Sequence, residues 1–99
     1  MVYFLIDTYL DPGTGRGSYD DYIRLVKPVV ESYGGKYLIR SEKVSSLSEK
    51  RNPQRVILIQ FPDREHLEQC FSSREYKGIM NKRVDSVDAR AVIVEEEEI

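Results

Sequence analysis

Several polar side chains interrupt otherwise apolar patterns in this sequence, and they are its candidates for chemistry. Asp7, Arg40 and Gln60 stand in stretches with β-type alternation. Tyr76 and Arg83 share one helical stripe with Ile79, Met80, Val84 and Val87. Tyr37 lies just before Arg40. Burying such groups costs free energy unless they are paired. Two readings follow. In the first they form an internal network, with Asp7 against an arginine and tyrosine hydroxyls as satisfiers. In the second, Arg40, Tyr76, Arg83, Asp7, Gln60 and Tyr37 line a pocket between a sheet and its helices. There arginine grips a carboxylate and tyrosine stacks on a planar ligand.

Other chemistries find less support. His66 is the only histidine and has no placed partner, so it reads as a surface or capping residue. Cys70 lies on an apolar stripe and reads as a small buried hydrophobe. No spacing of His, Cys, Asp or Glu suggests a metal site, and no nucleophile–histidine–acid set can be assembled. The glycines at 13, 15 and 17 lack the lysine and hydroxyl of a phosphate-binding loop, so the segment reads as a plain loop. Nothing calls for a cofactor.

The elements that must position these residues can be read in order. Val2 to Leu10 is a strand, with Val2, Phe4 and Ile6 on one face and Tyr3, Leu5 and Tyr9 on the other. After the loop, Ser18 caps a helix whose face carries Tyr19, Tyr22, Ile23, Val26, Val29, Val30 and Tyr33. Pro28 inside it predicts a kink or a division into two short helices. Gly34 is expected to take the left-handed conformation that ends the helix, with Gly35 as the alternative. Lys36 to Ser41 forms the second strand. A polar connection follows, in which Val44 and Leu47 could extend a strand irregularly. Arg55 to Phe61 is the third strand, apolar on both faces and therefore central. Asp63 caps a helix bearing Leu67, Cys70 and Phe71, which Ser72-Ser73 breaks before the Tyr76 segment. Ala89 to Glu95 is the last strand, and the glutamates at 95–98 read as a solvated run.

This order, β-α-β-β-α-β, is the α+β ferredoxin-like arrangement: a four-stranded antiparallel sheet with its helices on one face. At 99 residues, with 40% hydrophobic and 32% charged residues, the chain reads as one domain over 1–99. A net charge of −2 with interspersed signs gives no nucleic-acid footprint. The third strand also lacks the displayed aromatics of an RNA-binding sheet. No apolar run is long enough to span a membrane, and the start reads as a strand rather than a leader, which points to the cytoplasm. Three strands are apolar on both faces, yet the helices can cover only one. A second copy is the expected cover, giving a homodimer through the sheet face.

Tyr33-Gly34-Gly35-Lys36-Tyr37-Leu38-Ile39-Arg40 resembles a motif Tyr-Gly-Gly-Arg/Lys-Tyr-Leu-x-Arg. The motif marks the domain-of-unknown-function family thirteen-thirty, small bacterial proteins of the dimeric α/β-barrel superfamily. Tyr22, Pro53, Arg55, Phe61-Pro62, Ser73-Arg74-Glu75-Tyr76 and Arg83 extend the resemblance along nearly the whole chain. Ser41-Glu42 departs from the family's glycines, and Gln60 stands where relatives often carry glutamate. An amide does not titrate, so Gln60 could not replace a general base. The resemblance implies the dimeric barrel fold. Its superfamily includes cofactor-independent oxygenases, lactone isomerases and haem-degrading enzymes. Two functions stay open: a protein that binds or transforms a small planar or acidic molecule without a cofactor, and a non-catalytic interaction module working as a homodimer.

Overall fold

A computed structural model describes residues 1–10, 19–84 and 87–99, and Val84 by its backbone alone. The expected Ser18 cap and the glycine-rich loop lie outside the described residues. The strands are β1 (Val2–Tyr9), β2 (Lys36–Ser41), β3 (Arg55–Phe61) and β4 (Asp88–Glu95), and the helices are α1 (Tyr19–Ser32), α2 (Arg64–Ser72), α3 (Arg74–Ile79) and α4 (Asn81–Val84). The sheet runs β2-β3-β1-β4, antiparallel at every pairing. This is the ferredoxin-like fold, with the second helical stretch divided into three.

Each boundary has a local cause. Gly34 ends α1 at φ 86°. Its N–H donates to the Glu31 carbonyl at 3.1 Å and that of Gly35 to the Val30 carbonyl at 2.9 Å, the paired bonds of a Schellman motif. Gly35 is needed for space instead: a Cβ there would lie 2.4 Å from Val30 Cγ1. Asp63 caps α2 by accepting from the His66 N–H at 2.8 Å. Ser73 both ends α2 and caps α3, donating to the Cys70 carbonyl at 2.6 Å and accepting from the Tyr76 N–H at 3.1 Å.

α1 continues through Pro28 as one helix and is not divided into two short ones. Pro28 is exposed, so water can serve the carbonyl that loses its donor. Val44 and Leu47 extend no strand; Leu47 is fully exposed, and the connection pairs only in an isolated bridge between Ser48 and Arg51.

The core lies between the helices and one sheet face. Val2, Ile57, Ile59 and Phe61 rise from the strands to meet Tyr22, Val26 and Val30 of α1 and Leu67, Cys70 and Tyr76 beyond it. The opposite face carries Leu5, Val56, Leu58, Ile39, Val92 and Val94; apart from the polar connection, whose Arg51 binds Asp7 at one end, it is left largely uncovered. Ile39 is 48% exposed, Val92 54% and Val94 48%. The molecule is accordingly a slab of 38 × 36 × 17 Å. Among the described residues no helix is long and apolar enough to cross a membrane.

Candidate functional site

The expected site residues divide among three places. Asp7 points to the uncovered face, where Arg51 holds it through Nε at 2.7 Å and Nη2 at 3.1 Å. The partner is an arginine of the polar connection whose side chain is 59% exposed, so Asp7 is paired at the surface and not in an internal network. Gln60 lies on the same face, opposite Tyr3 of β1.

Tyr37 and Arg40 sit on β2, at the sheet's edge. They are an odd number of residues apart, yet both face the helices, because the β2–β3 register shifts between Tyr37 and Ile39. Arg40 stacks on the Tyr37 ring with its Cζ 5.7 Å from the centroid. Burial pushes the Tyr37 phenol up to about 12, against a smaller opposing pull from Arg40.

Tyr76 and Arg83 do come together. They line a cleft of about 130 Å³ between the helices and the sheet, facing Tyr19 and Tyr22 of α1. Its floor is apolar: Phe4 and Ile6 of β1, Ile57 of β3, Ala89 and Ala91 of β4, with Thr8 at one end. Ser73 sets the start of α3 and so aims Tyr76 inward, where the Tyr22 hydroxyl donates to that of Tyr76 at 3.2 Å. The Arg83 guanidinium lies over the Tyr22 ring at 5.9 Å. Burial, reinforced by Tyr76, drives the Tyr22 phenol far above its ordinary range, so it is a proton donor and no base at neutral pH. No described carboxylate pairs with Arg83. Phe4, Tyr76 and Arg83 also border an open groove of about 630 Å³ that continues past Phe71, Met80 and Ile93.

Tyr19 and Thr8 also line the cleft, Arg55 adjoins it through the Tyr19 ring, and none of the three is among the expected site residues. The signal was parity. Thr8 shares the face of Val2, Phe4 and Ile6, and Arg55 that of Ile57 and Ile59, so each is a polar residue on a core-facing position. Thr8 is 1% exposed and accepts from the Tyr19 hydroxyl at 3.4 Å. His66 is a cap neighbour, its Nδ1 2.7 Å from Asp63 Oδ1. Cys70 is buried, which pushes its thiol up to about 11. The described residues hold no cluster of metal-ligating side chains.

The fold recurs among solved structures. A protein of unknown function from Rhodopseudomonas palustris, RPA0582, superposes with a TM-score of 0.81 at 19% identity, over 99% of this chain and 83% of that one. At3g17210 from Arabidopsis thaliana does so at 0.74 and 10% identity, over 100% and 98%. A protein described as an antibiotic biosynthesis monooxygenase gives 0.58 at 14% identity, over 99% and 100%. At such identities the likeness is one of fold. No curated protein matches the chain. The domain of unknown function DUF1330 matches residues 10–97, and to that family the chain belongs.

Proposed function

We propose that the cleft binds a small planar or acidic organic molecule. The observation that carries this is Arg83 at the rim of an apolar cavity beside the Tyr22–Tyr76 hydroxyl pair. A forked cation with no carboxylate among the described residues suits an incoming acid, and the aromatic walls suit a flat ring. With Tyr22 holding its proton, the polar groups here orient a ligand rather than abstract a proton from it. Titration of aromatic and aliphatic carboxylates into wild type, Arg83→Ala and Arg40→Ala tests the reading. Arg83→Ala should lose affinity. Arg40→Ala, removed from the cleft on β2, should not. Equal affinity in wild type and Arg83→Ala removes the basis for the proposal.

The second reading, a homodimer acting through its sheet face, is favoured by the uncovered apolar surface. That surface has an apolar centre at Leu5, Leu58, Val92 and Val94. Its polar end carries the Asp7–Arg51 pair and Arg90, which stacks on Tyr9 at 4.5 Å. A second copy facing it would bury the centre and leave the charges at the rim. The two readings are compatible, since the cleft lies between the helices and the sheet, on the side of the sheet opposite the uncovered face.

A further inference from the structure

We propose that Arg55 is a second ligand anchor, at the Thr8 end of the cleft, and that the ligand is therefore a one-ring acid bearing an electronegative group at each end. The inference rests on the reading of the cleft as a binding site and goes beyond it by fixing the ligand's shape and charge.

Arg55 lies directly across the sheet from Thr8 and on the same face as Ile57, which forms part of the cleft floor. Its side chain is 11% exposed. The guanidinium stacks on the ring of Tyr19, a wall of the cleft, at 5.8 Å. Its Nε is buried and has no hydrogen-bond partner among the described residues. Among the described residues Arg55 forms an ion pair with Glu42, whose Oε1 is 3.9 Å from Nη1, too far for a hydrogen bond and at the other end of the guanidinium from Nε. Buried guanidinium donors are ordinarily satisfied, because leaving one unmade forfeits its hydration without return. An acceptor arriving at the Thr8 end would meet this one, and a carboxylate oxygen forms the stronger, charge-assisted bond.

Arg83 serves the other end. It borders both the cleft and the groove that continues past Phe4, and Phe4 and Thr8 are separated along β1 by roughly 13 Å at the usual strand rise. The cleft, lined by Arg83 and by Thr8, the cross-strand neighbour of Arg55, encloses about 130 Å³. An engineered apolar cavity of about 150 Å³ takes one benzene ring. The ring of a para-substituted acid therefore suits the apolar cleft, with its two polar groups directed beyond it toward the cations at either end.

Benzoate, 4-hydroxybenzoate and terephthalate, titrated by calorimetry, test the assignment. Wild type should bind terephthalate roughly tenfold or more tighter than benzoate, the worth of one charge-assisted bond. Arg55→Gln should abolish that preference, and Arg55→Lys should restore part of it, with thermal melting confirming that each variant is folded. If benzoate and terephthalate bind wild type equally and Arg55→Gln changes neither, the second anchor is overturned while the cleft reading stands. If no acid of the three binds wild type at millimolar concentration, both fall.

Discussion

The hydroxyl of Tyr22 on α1 donates to that of Tyr76 on α3 at 3.2 Å, and the two rings meet edge to face at 6.3 Å. This contact ties the first helix to the segment that follows Ser73 and closes one wall of the cleft. Tyr22→Phe and Tyr76→Phe should each cost about 1 kcal/mol, because each leaves a buried hydroxyl without its partner. The double variant should cost less than the two together. Urea denaturation of all four proteins decides it; strict additivity would mean the hydroxyls are not coupled.

The two adjacent glycines should fail for different reasons. Gly34→Ala is expected to lose roughly 1–2 kcal/mol from its left-handed backbone, although the space beside it is sufficient. Gly35→Ala drives a methyl into Val30 and Phe61, an overpacking worth about 1–3 kcal/mol. Val30→Ala should rescue part of the second loss and none of the first. Rescue of Gly34→Ala instead would reverse the assignment.

Stability should fall in alkali. Tyr37 and Tyr22 have folded pKa values raised above the ordinary value of 10.0, so the folded state keeps protons that the unfolded chain releases. Their contribution is complete below about 10 and is lost as pH rises, for Tyr37 between about 10 and about 12. Denaturation midpoints of wild type and Tyr37→Phe across that window give the check. A variant with the same alkaline slope as wild type would exclude Tyr37 as a source.

Cys70 should resist thiol reagents while the protein is folded, since it is buried and its thiolate is disfavoured. Full labelling in mild urea alongside slow labelling in buffer is the expected pattern. Rapid labelling under native conditions would show that α2 opens readily.

Size exclusion with light scattering should return twice 11.5 kDa at micromolar loading. A stable interface of this kind buries at least ~1,200 Å². Val92→Glu, on the uncovered face, should shift the mass to that of the monomer without unfolding the protein. A wild-type monomer would leave the sheet face without the proposed partner.

The architecture was legible because periodicity reports burial, and β3 showed its central position in four consecutive apolar residues. The candidate site was legible only in part. Tyr76 and Arg83 were found because helical spacing put them on one stripe, and the structure brings both to the cleft. Asp7 and Gln60 were grouped with them because a polar residue in an apolar strand looks the same whichever face it occupies. Strand parity assigns them to the uncovered side. Arg40 escapes even parity, since the register shift after Tyr37 exchanges the faces of the residues beyond it. A shift of this kind leaves no mark in composition, whereas Thr8 and Arg55 obeyed parity and could have been placed from it.

β4 is an edge strand: its outer side has no neighbour in the β2-β3-β1-β4 order, and Val92, Ile93 and Val94 all remain exposed. A strand of that composition is a template for edge-to-edge addition and thus for aggregation. Glu95 closes the strand and the glutamates at 96–98 follow it immediately. Two such edges approaching in register bring these carboxylates together, and their repulsion acts as a gatekeeper against growth. The same four residues that add nothing to the core therefore set the protein's colloidal behaviour, and acid that neutralises them removes the barrier.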